Sequence, residues 1–124
     1  NINAALGCAQ LENLDKYIAS KRAVAVEYIE HFKNVDGIDF FVEPENTFSN
    51  YWLSAVVLKD KDSQLDFLQQ TNDNGVMARP IWEVMNRLPM FENCENDGLK
   101  NTIWFADRVV NIPSSVRQND IQTI

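Results

Sequence analysis

Leu11, Leu14, Ile18, Lys21, Ala25, Tyr28 and Phe32 follow one another at alternating steps of three and four. Only an α-helix lying along an apolar core keeps such a set on one side, so the first third of the chain is expected to be helical. Lys21 is the single polar residue in that stripe. Ahead of it, Ala4, Ala5, Gly7, Cys8 and Ala9 form a patch of small side chains that lets a second backbone come close. Gly7 inside a helix costs up to about 1 kcal/mol relative to Ala, and close packing on another helix, or on a second subunit, would offset that. Asp36-Gly37 is a turn signal, so the helix should end near Lys33-Asn34.

Shorter elements follow. Phe40-Phe41-Val42 reads as a strand broken at Pro44, and Tyr51 to Leu58 as a strand covered on both faces, since nearly every residue is apolar. Ser63 with Asp66 resembles a capping box that opens a helix through Leu65, Phe67 and Leu68, and Asn74-Gly75 closes it. Val76 to Arg79 reads as a strand that ends at Pro80. The stretch from Asn86 to Gly98 is irregular and polar. A helix with Leu99, Ile103, Ala106 and Val110 on one side comes next, and Val109 to Ile112 can alternatively form a strand stopped by Pro113. Ser115 with Gln118 is a second capping-box candidate, for a terminal helix. Trp52 and Trp104 are expected to fill the core. The sum is one α+β domain over residues 1–124, a length that suits a single core.

Charge and cysteine content exclude several functions. Eleven basic and eighteen acidic side chains give −7, the wrong sign for nucleic acid or an anionic membrane surface. Two cysteines, Cys8 and Cys94, and one histidine, His31, supply neither a disulfide scaffold nor a zinc site. Glu92, Glu95 and Asp97 read as a solvated loop without calcium-binding spacing. No apolar run approaches the roughly 20 residues of a bilayer span. Both ends of the chain fall inside helical patterns, so it is expected to be a piece of something longer, from a reducing cytoplasm.

One segment carries chemistry. Arg79-Pro80-Ile81-Trp82-Glu83-Val84-Met85-Asn86-Arg87 sets Arg79, Trp82 and Asn86 where a strand gives way to an irregular loop, the place where sites tend to be built. Arginine suits phosphate or carboxylate, tryptophan offers a stacking face, and asparagine both donates and accepts. A purely structural role, with Arg79 paired to a carboxylate such as Glu83, stands beside that reading.

The residues also resemble a family. Asn1 to Gly7 with Gln10-Leu11, Lys21-Arg22 and Tyr28, then Tyr51-Trp52, Asn74-Gly75-Val76, Arg79-Pro80-Ile81-Trp82 and Ala106 to Ser115, are similar in order to the small domain of DegT-type nucleotide-sugar aminotransferases. These are pyridoxal phosphate enzymes of cell-surface sugar biosynthesis. The Arg-Pro-Ile-Trp and Asn-Ile-Pro-Ser-Ser segments look most like the subgroup that aminates UDP-linked 4-keto-6-deoxy sugars on the way to legionaminic acid and bacillosamine.

The resemblance implies the small C-terminal domain of a fold-type I transferase, a long helix and a mainly antiparallel sheet with flanking helices. The family's catalytic lysine, cofactor-ring aspartate and phosphate-binding residues belong to a large N-terminal domain, and none of the six lysines here matches that lysine. Pyridoxal phosphate is therefore expected in the full-length enzyme and not on this chain. Glutamate is the implied amino donor, and a homodimer the implied assembly, with the helix from Asn1 at its interface. Arg79 is implied as a diphosphate or sugar contact and Trp82 as a packing or stacking residue. Asn86 departs from the family, where many relatives carry histidine. A second class remains open: a free-standing, non-catalytic fragment that dimerises or binds a partner. The genomic reading frame upstream of Asn1 separates the two.

Overall fold

The computed structural model describes residues 1–117 and 120. Four helices, α1 (Ile2–Leu11), α2 (Leu14–Phe32), α3 (Lys61–Asp73) and α4 (Lys100–Ala106), accompany four strands, β1 (Ile38–Phe40), β2 (Ser54–Leu58), β3 (Arg79–Pro80) and β4 (Val109–Ile112). The strands form one sheet in the order β1-β2-β4-β3, antiparallel throughout. In register, Val56 faces both Phe40 and Val110, and Ser54 faces Ile112.

The expected single helix is two. Asn13 leaves the helical region (φ −107°, ψ 4°), and its side-chain amide donates to Ala9 O at 3.1 Å. Asparagine competes with the backbone for hydrogen bonds, which is why it interrupts helices. Leu11 and Leu14 are exposed as a result, and burial on α2 starts further along, at Ser20, Val24 and Ala25.

The core sits between the sheet and helices α2 and α3. Val56, Leu58, Ala78, Val110 and Ile112 are buried there, ringed by Tyr28, Phe32, Phe40, Phe67 and Leu68. Residues of β2 alternate, with Ser54, Val56 and Leu58 buried and Ala55 and Val57 half-buried, so the strand is fully covered on one face and not on both. It also starts later than expected. Tyr51 has φ 45°, in the left-handed region, which ends any extended run through it.

The α3 N-cap is Asp60, whose carboxylate accepts from Ser63 N–H at 2.9 Å and from Ser63 Oγ at 2.7 Å. Ser63 is thus the capped residue and not the cap. At the other end Gly75, at φ 78°, and Val76 donate back to Asn72 O and Thr71 O, at 3.0 and 2.9 Å, the Schellman closure expected of Asn74-Gly75. Gln64 is fully buried and donates to Ala106 O at 3.0 Å and Val109 O at 2.9 Å, tying α3 to the corner between α4 and β4. Val109 to Ile112 is a strand. The capping-box candidate at Ser115 and Gln118 lies partly outside the described residues.

Candidate functional site

Arg79 and Pro80 are the whole of β3, opposite Asn111 and Val110. Pro80 cannot donate to a ladder, so the strand stops and the chain leaves the sheet edge. The residue before a proline is held extended, which gives the Arg79 side chain a fixed starting point. It lines a groove of about 660 Å³, together with Leu53, Met77, Trp82, Asn111 and Ser114. No Asp or Glu lines that groove, in a chain of net charge −7. Glu83 pairs with Arg87 instead, at 3.4 Å. Among the described residues Arg79 has no ion pair, and its guanidinium meets only the Met77 sulfur, at 3.7 Å.

The turn after β4, which lines the groove at Pro113 and Ser114, is anchored to α2. The Lys21 ammonium donates to Trp52 O at 3.1 Å and to Ser114 O at 2.5 Å, and burial lowers its pKa from the usual lysine value. Ser114 Oγ donates to the same Trp52 carbonyl at 3.1 Å. Tyr28 Oη donates to Pro113 O at 2.9 Å, and Arg117 forms a two-point ion pair with Glu27. The turn after β4 is thereby held against α2 at Pro113, Ser114 and Arg117. The intruding lysine in the apolar stripe was the visible signal of this contact; its partners, two backbone carbonyls, leave no trace in sequence.

Trp52 and Trp82 lie side by side, ring centroids 6.5 Å apart and planes at 31°. They are 64% and 72% exposed. Trp104 is 44% exposed, stacked with the Arg108 guanidinium 4.7 Å from its ring centre. The expectation that Trp52 and Trp104 fill the core is therefore wrong. Trp52 follows the left-handed Tyr51 and faces outward, and α4 buries only Ala106.

Asn86 stands apart from Arg79 and Trp82. It sits in a 3-10 turn at Met85–Arg87, half-buried, and is not among the residues lining the groove. Its Oδ1 is shut off from solvent with no hydrogen-bond partner among the described residues. His31 is exposed, edge-on to Phe32.

The described residues do not fit pyridoxal phosphate. Lys21 is committed to carbonyls, Lys61 donates to Gln64 and lies near Asp107, and Lys16, Lys33, Lys59 and Lys100 are exposed. Gly37, Gly75 and Gly98 occupy separate turns, so no glycine loop cradles a phosphate. Nor does any cluster of His, Cys, Asp and Glu among them suit a metal ion. No helix among them is long and apolar enough to cross a membrane.

The sequence pattern of the DegT/DnrJ/EryC1/StrS aminotransferase family matches residues 1–124. EpsN of Bacillus subtilis is 33% identical over 92 residues, which are 74% of this chain and 24% of that protein. The GDP-perosamine synthase of Vibrio cholerae is 31% identical over 120 residues, 92% of this chain and 32% of its own. Helicobacter pylori PseC, an aminotransferase involved in the biosynthesis of pseudoaminic acid, superimposes with a TM-score of 0.85 over 98% of this chain and 34% of its own. At 16% identity that likeness establishes the fold alone, and it agrees with the expected α+β fold. The chain spans a quarter to a third of the length of these relatives. Since the family pattern runs over its full length, the chain belongs to the DegT/DnrJ/EryC1/StrS aminotransferases.

Proposed function

We propose that this chain is the small C-terminal domain of an enzyme that moves an amino group from glutamate to a nucleotide-linked 4-keto-6-deoxy sugar, for surface polysaccharide or glycan biosynthesis. The observation that carries the reading is the groove without acidic lining, beside an Arg79 that has no ion pair among the described residues, in an acidic chain. Guanidinium is always charged and matches the oxygens of a diphosphate, and Trp82 beside it supplies an apolar wall. Pyridoxal phosphate, which supplies the electron sink for amino transfer, is held by the remainder of the enzyme together with its lysine. This domain then binds and orients the sugar nucleotide, and Asn86 contacts the sugar once the two parts close on each other.

The enzyme works in the cytoplasm as a homodimer, with α1 at the subunit contact. Supporting this, α1 has no buried residue, and Ile2, Leu6 and Leu11 are 86%, 59% and 67% exposed. A ten-residue helix without tertiary cover is marginal in water, so a covering surface is required.

The complete enzyme carrying Arg79→Ala tests the groove. The KM for the nucleotide sugar should rise by about tenfold or more, the loss of a charged hydrogen bond of roughly 1.5–3 kcal/mol. The half-reaction with glutamate should keep its rate. Equal losses in both half-reactions would make Arg79 structural.

A further inference from the structure

We propose that the Trp52–Trp82 pair is a stacking shelf for the flat base of a nucleotide, and that Lys21 is the residue that positions it. The inference rests on the groove beside Arg79 being a nucleotide-sugar site and says which part of the ligand lies where.

Two indoles more than three-fifths exposed, 6.5 Å apart, leave a large apolar area in water. Yet the backbone under Trp52 is held at both polar groups. Its N–H donates to Asn50 Oδ1 at 3.0 Å, and its C=O accepts from Lys21 Nζ and Ser114 Oγ, each at 3.1 Å. A bare ring on a fixed backbone is pre-organised for a ligand, because little freedom is left to lose on binding. Trp82 lines the Arg79 groove, whereas Trp52 lines a neighbouring pocket with Lys21, Tyr17 and Ile18, its ring adjoining Trp82. Trp82 and the Arg79 guanidinium share a groove that no carboxylate of the described residues lines, which matches a base joined to phosphate. Stacking tolerates every base, so the shelf supplies affinity and leaves discrimination among bases to other contacts.

Lys21 closes the arrangement. One ammonium grips the residue entering β2 and the turn leaving β4, so it sets the spacing between Trp52 and the Ser114 wall of the groove. Methionine at this position would fill the space without either hydrogen bond.

Calorimetric titration of the complete enzyme with UDP, GDP and inorganic pyrophosphate tests the shelf. Trp52→Leu should weaken both nucleotides by roughly ten- to a hundredfold, the scale of one lost base-stacking contact. It should leave pyrophosphate binding unchanged, and Trp52→Phe should retain most of the affinity. Lys21→Met should reproduce the nucleotide-selective loss, and Lys21→Arg should restore it. Arg79→Ala, run in parallel, should weaken all three probes. If Arg79→Ala weakens binding while Trp52→Leu or Lys21→Met does not, the shelf is overturned and the groove stands. If Arg79→Ala has no effect either, the groove falls with it. Loss of pyrophosphate and nucleotide together in Trp52→Leu would mark Trp52 as a structural prop and overturn the proposal.

Discussion

Glu43 accepts from both terminal nitrogens of Arg22, at 2.7 and 3.0 Å, and from the Ser49 N–H, while Arg22 also donates to Ser49 O at 2.6 Å and lies over the Phe48 ring. The pair fastens the loop after β1 to α2. The Arg22 hydrogen bonds, then the Ser49 N–H, lower the Glu43 pKa from 4.5 to about 2. A carboxylate with a depressed folded-state pKa stabilises the fold above its unfolded value and loses that contribution as pH falls towards the folded one. The melting-temperature gap between the native chain and Glu43→Gln should therefore be full above pH 4.5 and shrink as pH drops towards 2. A gap independent of pH would show that the contribution is packing alone. A specific contact was legible where a residue broke a pattern. Lys21 interrupted an apolar stripe and binds two backbone carbonyls; Glu43 broke none, and its partner Arg22 lies on another element. Trp52 misled because a large indole is expected to be buried, and the left-handed Tyr51 that turns it outward has no sequence signature.

Among the elements, α1 separates local propensity from tertiary contact. Ala4, Ala5, Gly7, Cys8 and Ala9 are all exposed, and a methyl group added at Gly7 would meet nothing within 4 Å. In the chain alone Gly7→Ala should stabilise the helix by about 0.5–1 kcal/mol, since alanine loses less backbone freedom, and far-UV circular dichroism should show more helix. In the complete enzyme the same change should weaken subunit association, measured by sedimentation, if α1 is the contact. Unchanged association would remove α1 from that role. The apolar period located α2 but ran across Asn13 without a gap, because a period records which side faces a core and not whether the backbone is continuous. The capping signal at Ser63 was three residues late, for a related reason: Asp60 and Ser63 are both good caps, and only the backbone geometry shows which one precedes the first turn.

Taken whole, and on the reading proposed above, the chain supplies a binding wall while the remainder of the enzyme holds the reactive group. The α+β arrangement could be read from the alternation of helix, strand and turn signals, and the family from residues spread along the entire chain. Strand order could not, because it depends on pairings between distant segments. The chain alone, mixed with pyridoxal phosphate and glutamate, should transfer no amino group. Borohydride followed by mass spectrometry should find no single lysine modified in stoichiometric yield. A full-occupancy adduct at one lysine would locate a cofactor cradle in this chain and overturn the division of labour proposed above. The sheet order has one more consequence. β4 lies between β2 and β3 and pairs with both, yet the ribosome makes it long after either of them. Until residues 109–112 emerge, β1 and β2 form a two-stranded ribbon whose β2 edge is open, and β3 has no strand to pair with. Nascent copies therefore pass through an interval of open edges, in which chaperones or other nascent chains compete for the place that β4 will take.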